Sequence, residues 1–347
     1  MVLESLTNPF KAERHPGKLI LLGFFYVSIA IILALWVFAH QASLVFVFFA
    51  VMSAIPLMVN IIKEEEKKDV SDFHEVALLK EHSKALKAFM NLFIGMTLAV
   101  TAWYVFIPAA IFLTVVCGFF VFFDTKDLNE RLQNHPSWFK RNATVTLLVI
   151  AILLGTGLGF LSIEGYAQTS HFQLFSEQID TINKINGRVT GLASADEATS
   201  GFDQFSRIFF NNMKVLTFCI IFSFIYGAGA IFILAWNASV IGTAIGNYVR
   251  SELASLAHTI GLEKVAGYLS VVSIGLLKYV IHGIPEILAY FIAALAGGII
   301  SIGVIRHDFK GRKFEHIVLD AADLVLLSIA VLFIAAILEV WVTPMIF

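Results

Sequence analysis

Three ionisable side chains lie close together in an apolar part of the sequence. Lys278, His282 and Glu286 occur in the segment KYVIHGIPE at intervals of four residues, so one continuous helix would place them on a shared face. Gly283 and Pro285 lie among them, and a proline inside a helix removes a backbone hydrogen bond, so we expect the helix to break here. Ionisable groups within a bilayer are costly, which indicates either a function or a buried polar network.

A simpler interpretation of the same segment needs no function. If the break lies near the membrane surface, Lys278 can extend its amine to water. Glu286 would then lie in the first turn of the next helix, where the helix dipole favours a carboxylate. The sequence leaves both interpretations open.

Three further polar residues fall at a similar expected depth. Glu339 is an acid in an otherwise apolar final segment, and it either pairs with Lys278 or His282 or reaches interfacial water. Asn211 and Asn212 precede an apolar run, where they serve as a helix cap or as neighbours of the cluster. The predicted polar intramembrane cluster therefore consists of Lys278, His282, Gly283, Pro285, Glu286, Glu339, Asn211 and Asn212.

The sequence lacks the common catalytic and metal-binding signatures. It contains no HExxH, no GxSxG, no phosphate-binding loop and no paired Cys/His spacing. His74 and His82 are separated by eight positions and are not expected to be metal ligands. We therefore predict no catalytic residue, no metal and no cofactor, and expect that the chain is not an enzyme.

Composition identifies the class of protein to which these residues belong. The 347 residues are 58% hydrophobic and 14% charged, whereas soluble domains carry about 25% charged residues. A core of this size could not bury so much apolar surface, so the chain is a polytopic membrane protein. The net charge of −2 does not suggest a nucleic-acid partner, and Cys117 and Cys219 both lie within apolar runs, against a disulfide framework.

The apolar runs are continuous rather than alternating, which predicts membrane-spanning helices. The predicted fold is an all-α polytopic membrane bundle of about nine transmembrane helices, with broken helical hairpins about Pro108 and Pro285. The nine segments are 19–39, 43–62, 88–107, 109–123, 144–161, 215–236, 265–281, 287–305 and 324–342.

The distribution of basic residues predicts the orientation. With nine crossings and a cytoplasmic N-terminus, 19 Lys and Arg residues lie on the inner side and 4 on the outer side. Positive residues favour the cytoplasmic side, so we expect the C-terminus to be extracytoplasmic, in a multi-pass protein of the cell membrane.

The chain divides by composition into three parts. Residues 1–162 form an N-terminal transmembrane region of about five spans, with a charged cytoplasmic helix at 63–87. Residues 163–212 are extracytoplasmic, and residues 213–347 form a second transmembrane region of about four spans. The middle part carries apolar residues at helical spacing, which predicts an amphipathic helix ending near Asn186-Gly187, followed by a flexible loop at 191–201. The apolar stripe comprises Phe172, Phe175, Ile179, Ile182 and Ile185.

The C-terminal half resembles the stage II sporulation protein M family of integral membrane proteins. The resemblance rests on residues 211–246 and 282–303, and the N-terminal half is similar to the longer archaeal members. Its elements are paired asparagines before a span, small residues after that span, an Asn with two following glycines, and an HG-x-x-E segment that opens a Gly-rich span. The matching positions here are Asn211 and Asn212; Gly227 and Gly229; Asn237, Gly242 and Gly246; and His282, Gly283 and Glu286.

This resemblance implies a scaffold rather than an enzyme. The bacterial sporulation member is associated with peptidoglycan-degrading partners at the septal membrane, and the family is not known for catalysis of its own. We therefore expect a non-enzymatic scaffold or assembly component in envelope or membrane remodelling. It would sit in the lipid bilayer as a homo-oligomer or in a membrane or envelope protein complex, without nucleic acid. The alternative is a transporter or channel for a small solute, ion or lipid, since broken helices often build transport sites.

Overall fold

The computed structural model describes residues 16–66, 82–122, 174–193, 201–226, 230–255, 261–305 and 312–346. The predicted span at 144–161, most of the charged segment at 63–87 and the glycines Gly227 and Gly229 lie outside these described residues. Within the described part of the chain, ten α-helices, one 3₁₀ turn at Ala39–Gln41 and one π-helical turn at Leu338–Val342 account for the secondary structure. The helices are α1 Pro16–Val37, α2 Ala42–Glu66, α3 Ser83–Val105, α4 Ile107–Phe122, α5 Ser176–Ala193, α6 Gly201–Tyr226, α7 Ala230–Ser255, α8 Gly261–Ile305, α9 Arg312–Ile337 and α10 Thr343–Ile346.

Seven stretches of the described chain are long and apolar enough to cross a membrane. They are Gly17–Val37, Ala39–Ile62, Ser83–Val105, Gly201–Ile225, Ile231–Leu253, Leu269–Ile305 and Phe314–Ile346, with a shorter apolar helix at Ile107–Val121. The predicted all-α polytopic membrane bundle is therefore confirmed.

The hairpin predicted about Pro285 is wrong. Helix α8 continues from Gly261 to Ile305 with Pro285 in its interior. Proline removes one backbone hydrogen bond, whereas ending the helix here would expose several unpaired backbone groups in an apolar environment. One long helix is therefore the less costly solution.

The segment between the predicted spans 215–236 and 265–281 is helical as far as Ser255. The predicted span 215–236 is divided between α6, which ends at Tyr226, and α7, which begins at Ala230. Two polar residues of α7 bond within their own helix: the Asn237 amide donates to the Ile233 carbonyl at 2.9 Å, and the Thr243 hydroxyl to the Ser239 carbonyl at 2.8 Å. Because these groups are satisfied locally, they do not prevent the segment from crossing the membrane.

The break predicted about Pro108 is present. Helix α3 ends at Val105 and α4 begins at Ile107, so Pro108 lies in the first turn of α4, where no helical partner for its nitrogen is needed.

The chain forms two compact units. The first contains the described residues of Met1–Ser53, Asn91–Ile179 and Ala238–Asn247, and the second those of Ala54–Met90, Asp180–Asn237 and Tyr248–Phe347.

Close backbone approaches at glycines hold the first unit together. A Cβ atom added to Gly23 would meet the Leu92 carbonyl oxygen of α3, and one added to Gly95 would meet the Ile20 carbonyl oxygen of α1. On α7, Gly242 and Gly246 pack against Val100 and Tyr104 of α3. Gly242 and Gly246 therefore permit close packing of helices, as small residues do in membrane proteins.

The second unit is built around α8. The ten residues that follow Pro285 are almost entirely buried. Helix α8 packs on α6 and α9. A Cβ atom on Gly297 would meet the Ile220 carbonyl oxygen of α6 at 2.6 Å, and the rings of Phe89 and Phe291 lie 5.4 Å apart. The positions of α8 that could carry chemistry are thus held by a tightly packed helix.

The amphipathic helix predicted in the middle part corresponds to α5. It runs through Asn186-Gly187 to Ala193, so the predicted end was wrong. At its start, in the first unit, Phe175 is fully buried, with its ring centroid 5.9 Å from Phe46 and 5.4 Å from Tyr104. Further along the stripe, Ile179 and Ile182 are half-buried, whereas the side chains of Phe172 and Ile185 lie outside the described part.

Candidate functional site

A carboxyl group and a phenol on α8 form the centre of the candidate site in the second unit. Glu286 and Tyr290 are one helical turn apart, and the Tyr290 hydroxyl donates a 2.7 Å hydrogen bond to Glu286 Oε1. Tyr290 is fully buried and Glu286 is half-buried. Because Tyr290 is fully buried, water does not compete for its hydroxyl, and this strengthens the bond.

One turn earlier on α8, a histidine connects to the C-terminal part of the chain. His282 Nδ1 lies 3.2 Å from the Thr343 hydroxyl oxygen, and that hydroxyl donates its proton to the Leu338 carbonyl at 3.0 Å. With that proton donated, the Thr343 oxygen can accept from His282 Nδ1 in the tautomer that carries its hydrogen there.

The third ionisable residue lies on an irregular turn. Leu338–Val342 forms a π-helical turn between α9 and α10, and it contains Glu339. Glu339 is close enough to Glu286 and Tyr290 for a direct electrostatic interaction. Such turns widen a helix by one residue and occur frequently at functional sites.

The structure thus brings together His282, Glu286 and Glu339 from the predicted cluster, and adds Tyr290 and Thr343. Sequence analysis missed these two residues. The four-residue interval between Glu286 and Tyr290 was a usable signal, since side chains at that interval meet on a helix. No sequence pattern pointed to Thr343.

The other predicted members are placed differently. Asn211 is exposed and Asn212 half-buried on α6, which begins ten residues earlier at Gly201, so neither caps the start of a helix. A Cβ atom on Gly283 would meet nothing within 4 Å, so no neighbouring group packs closely on the backbone there. Pro285 is an interior residue of α8, and Glu286 is therefore not in the first turn of a new helix. The side chain of Lys278 lies outside the described residues.

The cluster offers two kinds of chemistry. The bond between His282 and Thr343 can fix α8 against the C-terminal turn, and the two carboxyl groups can bind a proton or a cationic group. Among the described residues, no group of three or more His, Cys, Asp and Glu is arranged to hold a metal ion.

A second polar site, in the first unit, was not anticipated. Gln178 is fully buried near the start of α5, where its Oε1 accepts a 2.8 Å hydrogen bond from the Ser43 hydroxyl. Its Nε2 lies 3.3 Å from both the Ser43 carbonyl oxygen and the Ser239 hydroxyl oxygen. One amide thus links α5 to α2 and α7.

We expect Gln178→Leu to lower the free energy of unfolding by about 1–3 kcal/mol, because Ser43 and Ser239 would be left buried without their amide partner. Thermal unfolding of the purified protein in detergent measures this loss. The control is Gln204→Leu, an exposed glutamine on α6, which should leave the midpoint nearly unchanged. Equal midpoints for the two variants would show that the Gln178 network contributes nothing.

Comparisons with known proteins identify a family that matches this chain. The family model described as Stage II sporulation protein M matches residues 109–344, which is more than half of the chain. The matched range contains α5 to α9 and the whole polar cluster. No curated protein and no solved structure matches the chain.

Proposed function

Because this chain belongs to the stage II sporulation protein M family, we propose that it is a non-enzymatic membrane scaffold that positions other proteins during envelope or membrane remodelling. The proposal covers the scaffold role, the absence of catalysis and the association with partner proteins. The seven apolar helices and the family make the chain a multi-pass membrane protein.

The packing of α8 is the observation that carries this proposal. Ile287 and the stretch 289–299 are buried throughout. The two polar residues just before them are hydrogen-bonded within the protein, His282 to Thr343 and Glu286 to Tyr290. A cavity in the second unit has a volume of about 10 Å³ and an almost wholly apolar lining that includes Met58, Phe89 and Ala294. Such a small apolar space could hold at most one water molecule, so the interior beside this part of α8 is closely packed.

Two helices of the second unit supply exposed apolar surface. Among the candidate spans, the two that contain α6 and α9 have the smallest buried shares, 22% and 28%. Exposed residues include Phe218 and Ile225 on α6 and Leu326 and Ile334 on α9. In a bilayer, such faces contact lipid or another membrane protein, as a scaffold requires.

We propose the orientation predicted from charge, with a cytoplasmic N-terminus and an extracytoplasmic C-terminus. The helices α6, α7 and α8 give three crossings, the same number as the three predicted spans that they replace. The basic residues Arg306, Lys310, Arg312 and Lys313 therefore stay on the side assigned from sequence, which is the inner side.

Two assays on the same preparation test the scaffold. Native electrophoresis of membranes solubilised in a mild detergent should place the chain in a complex larger than the monomer, with a constant set of partner proteins. Proteoliposomes containing the purified chain should conduct H⁺, Na⁺ and K⁺ no faster than protein-free vesicles. A monomer together with ion flux would contradict the scaffold.

A transporter is the second candidate function, and one observation favours it. The π-turn at Leu338–Val342 carries Glu339, and it lies near His282 and Glu286 of α8, where Pro285 removes one backbone hydrogen bond, all within candidate spans. Transporters build sites at such irregular helices. Flux that disappears in a Glu286→Gln variant would select this function.

A further inference from the structure

One face of α6 is exposed along nearly the whole helix. Its members recur every three or four residues, so they form a single line on the helix surface. We call this line the α6 stripe; it consists of Gln204, Arg207, Asn211, Lys214, Phe218, Phe222 and Ile225, all of them exposed.

The chemistry of the α6 stripe changes along its length. The end nearer Gly201 carries two cations and two amides, whereas the end nearer Tyr226 carries two phenylalanines and an isoleucine. The rings of Phe218 and Phe222 lie 6.2 Å apart. Polar and apolar residues are thus separated along the helix axis rather than around it.

The two cations fall within a candidate span. At 1.5 Å per residue, Arg207 lies about 9 Å and Lys214 about 20 Å along the axis from Gly201, where the span Gly201–Ile225 begins. Charged residues inside a span normally pair with another group. Among the described residues, the side chains of Arg207, Asn211 and Lys214 have no hydrogen-bond or ion-pair partner.

Asp203 lies one turn before Arg207 and can offset only one of the two cations, so a partner for both must carry further negative charge. A second copy docked symmetrically through the α6 stripe would bring equivalent cations towards each other, which is unfavourable. A phospholipid carries its charge at one end and its apolar chains along the rest, which is the same axial division as in the stripe. Arg207 and Lys214 are about 10 Å apart along the axis, so their long side chains can converge on one phosphate.

We propose that the α6 stripe binds an anionic phospholipid in the leaflet at the Gly201 end of the helix. The phosphate is held between Arg207 and Lys214, with Asn211 as a further donor, and the acyl chains run along Phe218 and Phe222.

Lipid binding to the purified full-length chain tests the proposal. Native mass spectrometry with phosphatidylglycerol and phosphatidylcholine should show at least about tenfold tighter binding of phosphatidylglycerol, since two cations contribute. The double variant Arg207→Gln/Lys214→Gln should lose this preference. The control Arg250→Gln removes an exposed cation from α7 and should retain it.

Three outcomes would overturn the proposal: equal binding of the two lipids by the wild-type chain, an unchanged preference in the double variant, or an equal loss in the control. Comparable thermal midpoints would exclude misfolding as the cause of any loss. A photoreactive amino acid in place of Asn211 gives an independent result in intact membranes. A lipid adduct supports the proposal, whereas an adduct of twice the monomer mass or one with another polypeptide shows that a protein covers the stripe.

Discussion

Gly95→Ala should prevent the first unit from packing stably. The added methyl group would meet the backbone carbonyl oxygen of Ile20 on α1, and the same helix pair makes a second backbone approach at Gly23. A backbone atom cannot rotate away as a side chain can, so α1 and α3 would have to separate. Overpacking typically costs about 1–3 kcal/mol, and we expect the upper end of that range here.

The free energy of unfolding in mixed detergent and denaturant micelles measures this effect. Gly17→Ala is the matched control, because it lies on α1 and an added Cβ atom would meet nothing within 4 Å. That control should be neutral or stabilising by up to about 1 kcal/mol, through helix propensity alone. If Gly95→Ala and Gly17→Ala have the same free energy of unfolding, the close approach of α1 and α3 does not matter for stability.

The contact between α1 and α3 also shows a limit of sequence reasoning. Gly242 and Gly246 are four residues apart, a spacing that indicates a helix-packing face, and they do pack closely against α3. Gly95 is the single glycine of α3, and Gly23 is six residues from Gly17 on α1, so neither belongs to a four-residue spacing pattern. Their role depends on which helices become neighbours, and that is a property of the fold.

Most helices could be predicted because long apolar runs have few alternatives in a membrane. Helix α7 was missed because Asn237, Ser239 and Thr243 lower its apolar character, and local hydrogen bonds satisfy such groups only once the helix exists. At Pro285 the opposite error occurred. The local rule for proline predicts a break. Ending α8 there would leave several backbone groups unpaired in an apolar environment, so the helix continues.

The candidate site was partly visible in the sequence for a similar reason. His282, Glu286 and Glu339 stand out because ionisable groups are rare in apolar spans. The π-turn that carries Glu339 has no sequence pattern. The sequence pattern of α5 does not single out Gln178, which is fully buried with Ser43 and Ser239 as its partners.

The hydrogen bond between Tyr290 and Glu286 should be one of the strongest single contributions in the second unit. Tyr290→Phe removes the donor and leaves the carboxyl oxygen of Glu286 without its 2.7 Å partner. A buried acceptor left without its partner costs about 1–3 kcal/mol, so the free energy of unfolding should fall by a similar amount. Tyr279→Phe, which removes a phenol two turns before Glu286 on the same helix, is the control and should change little.

A double-mutant cycle separates this bond from the other effects of each substitution. Glu286→Gln keeps an acceptor oxygen and the shape of the side chain, so we expect a smaller loss than for Glu286→Leu, which removes the acceptor. In the cycle of Tyr290→Phe with Glu286→Leu, the two losses should not add, and the coupling should be at least about 1 kcal/mol. Strictly additive losses would show that the two side chains act independently.

The same variants distinguish a structural role of the cluster from a binding role. If the cluster only fixes α8 against the C-terminal turn, cellular function in each variant should follow its stability, and Glu286→Gln should retain most of both. If the carboxylate binds a proton or a cationic group, Glu286→Gln should lose function while its unfolding midpoint stays close to that of the wild type. Complementation of a deletion strain, with midpoints measured in parallel, decides between the two roles, because only binding requires the charge of Glu286 and not merely its shape.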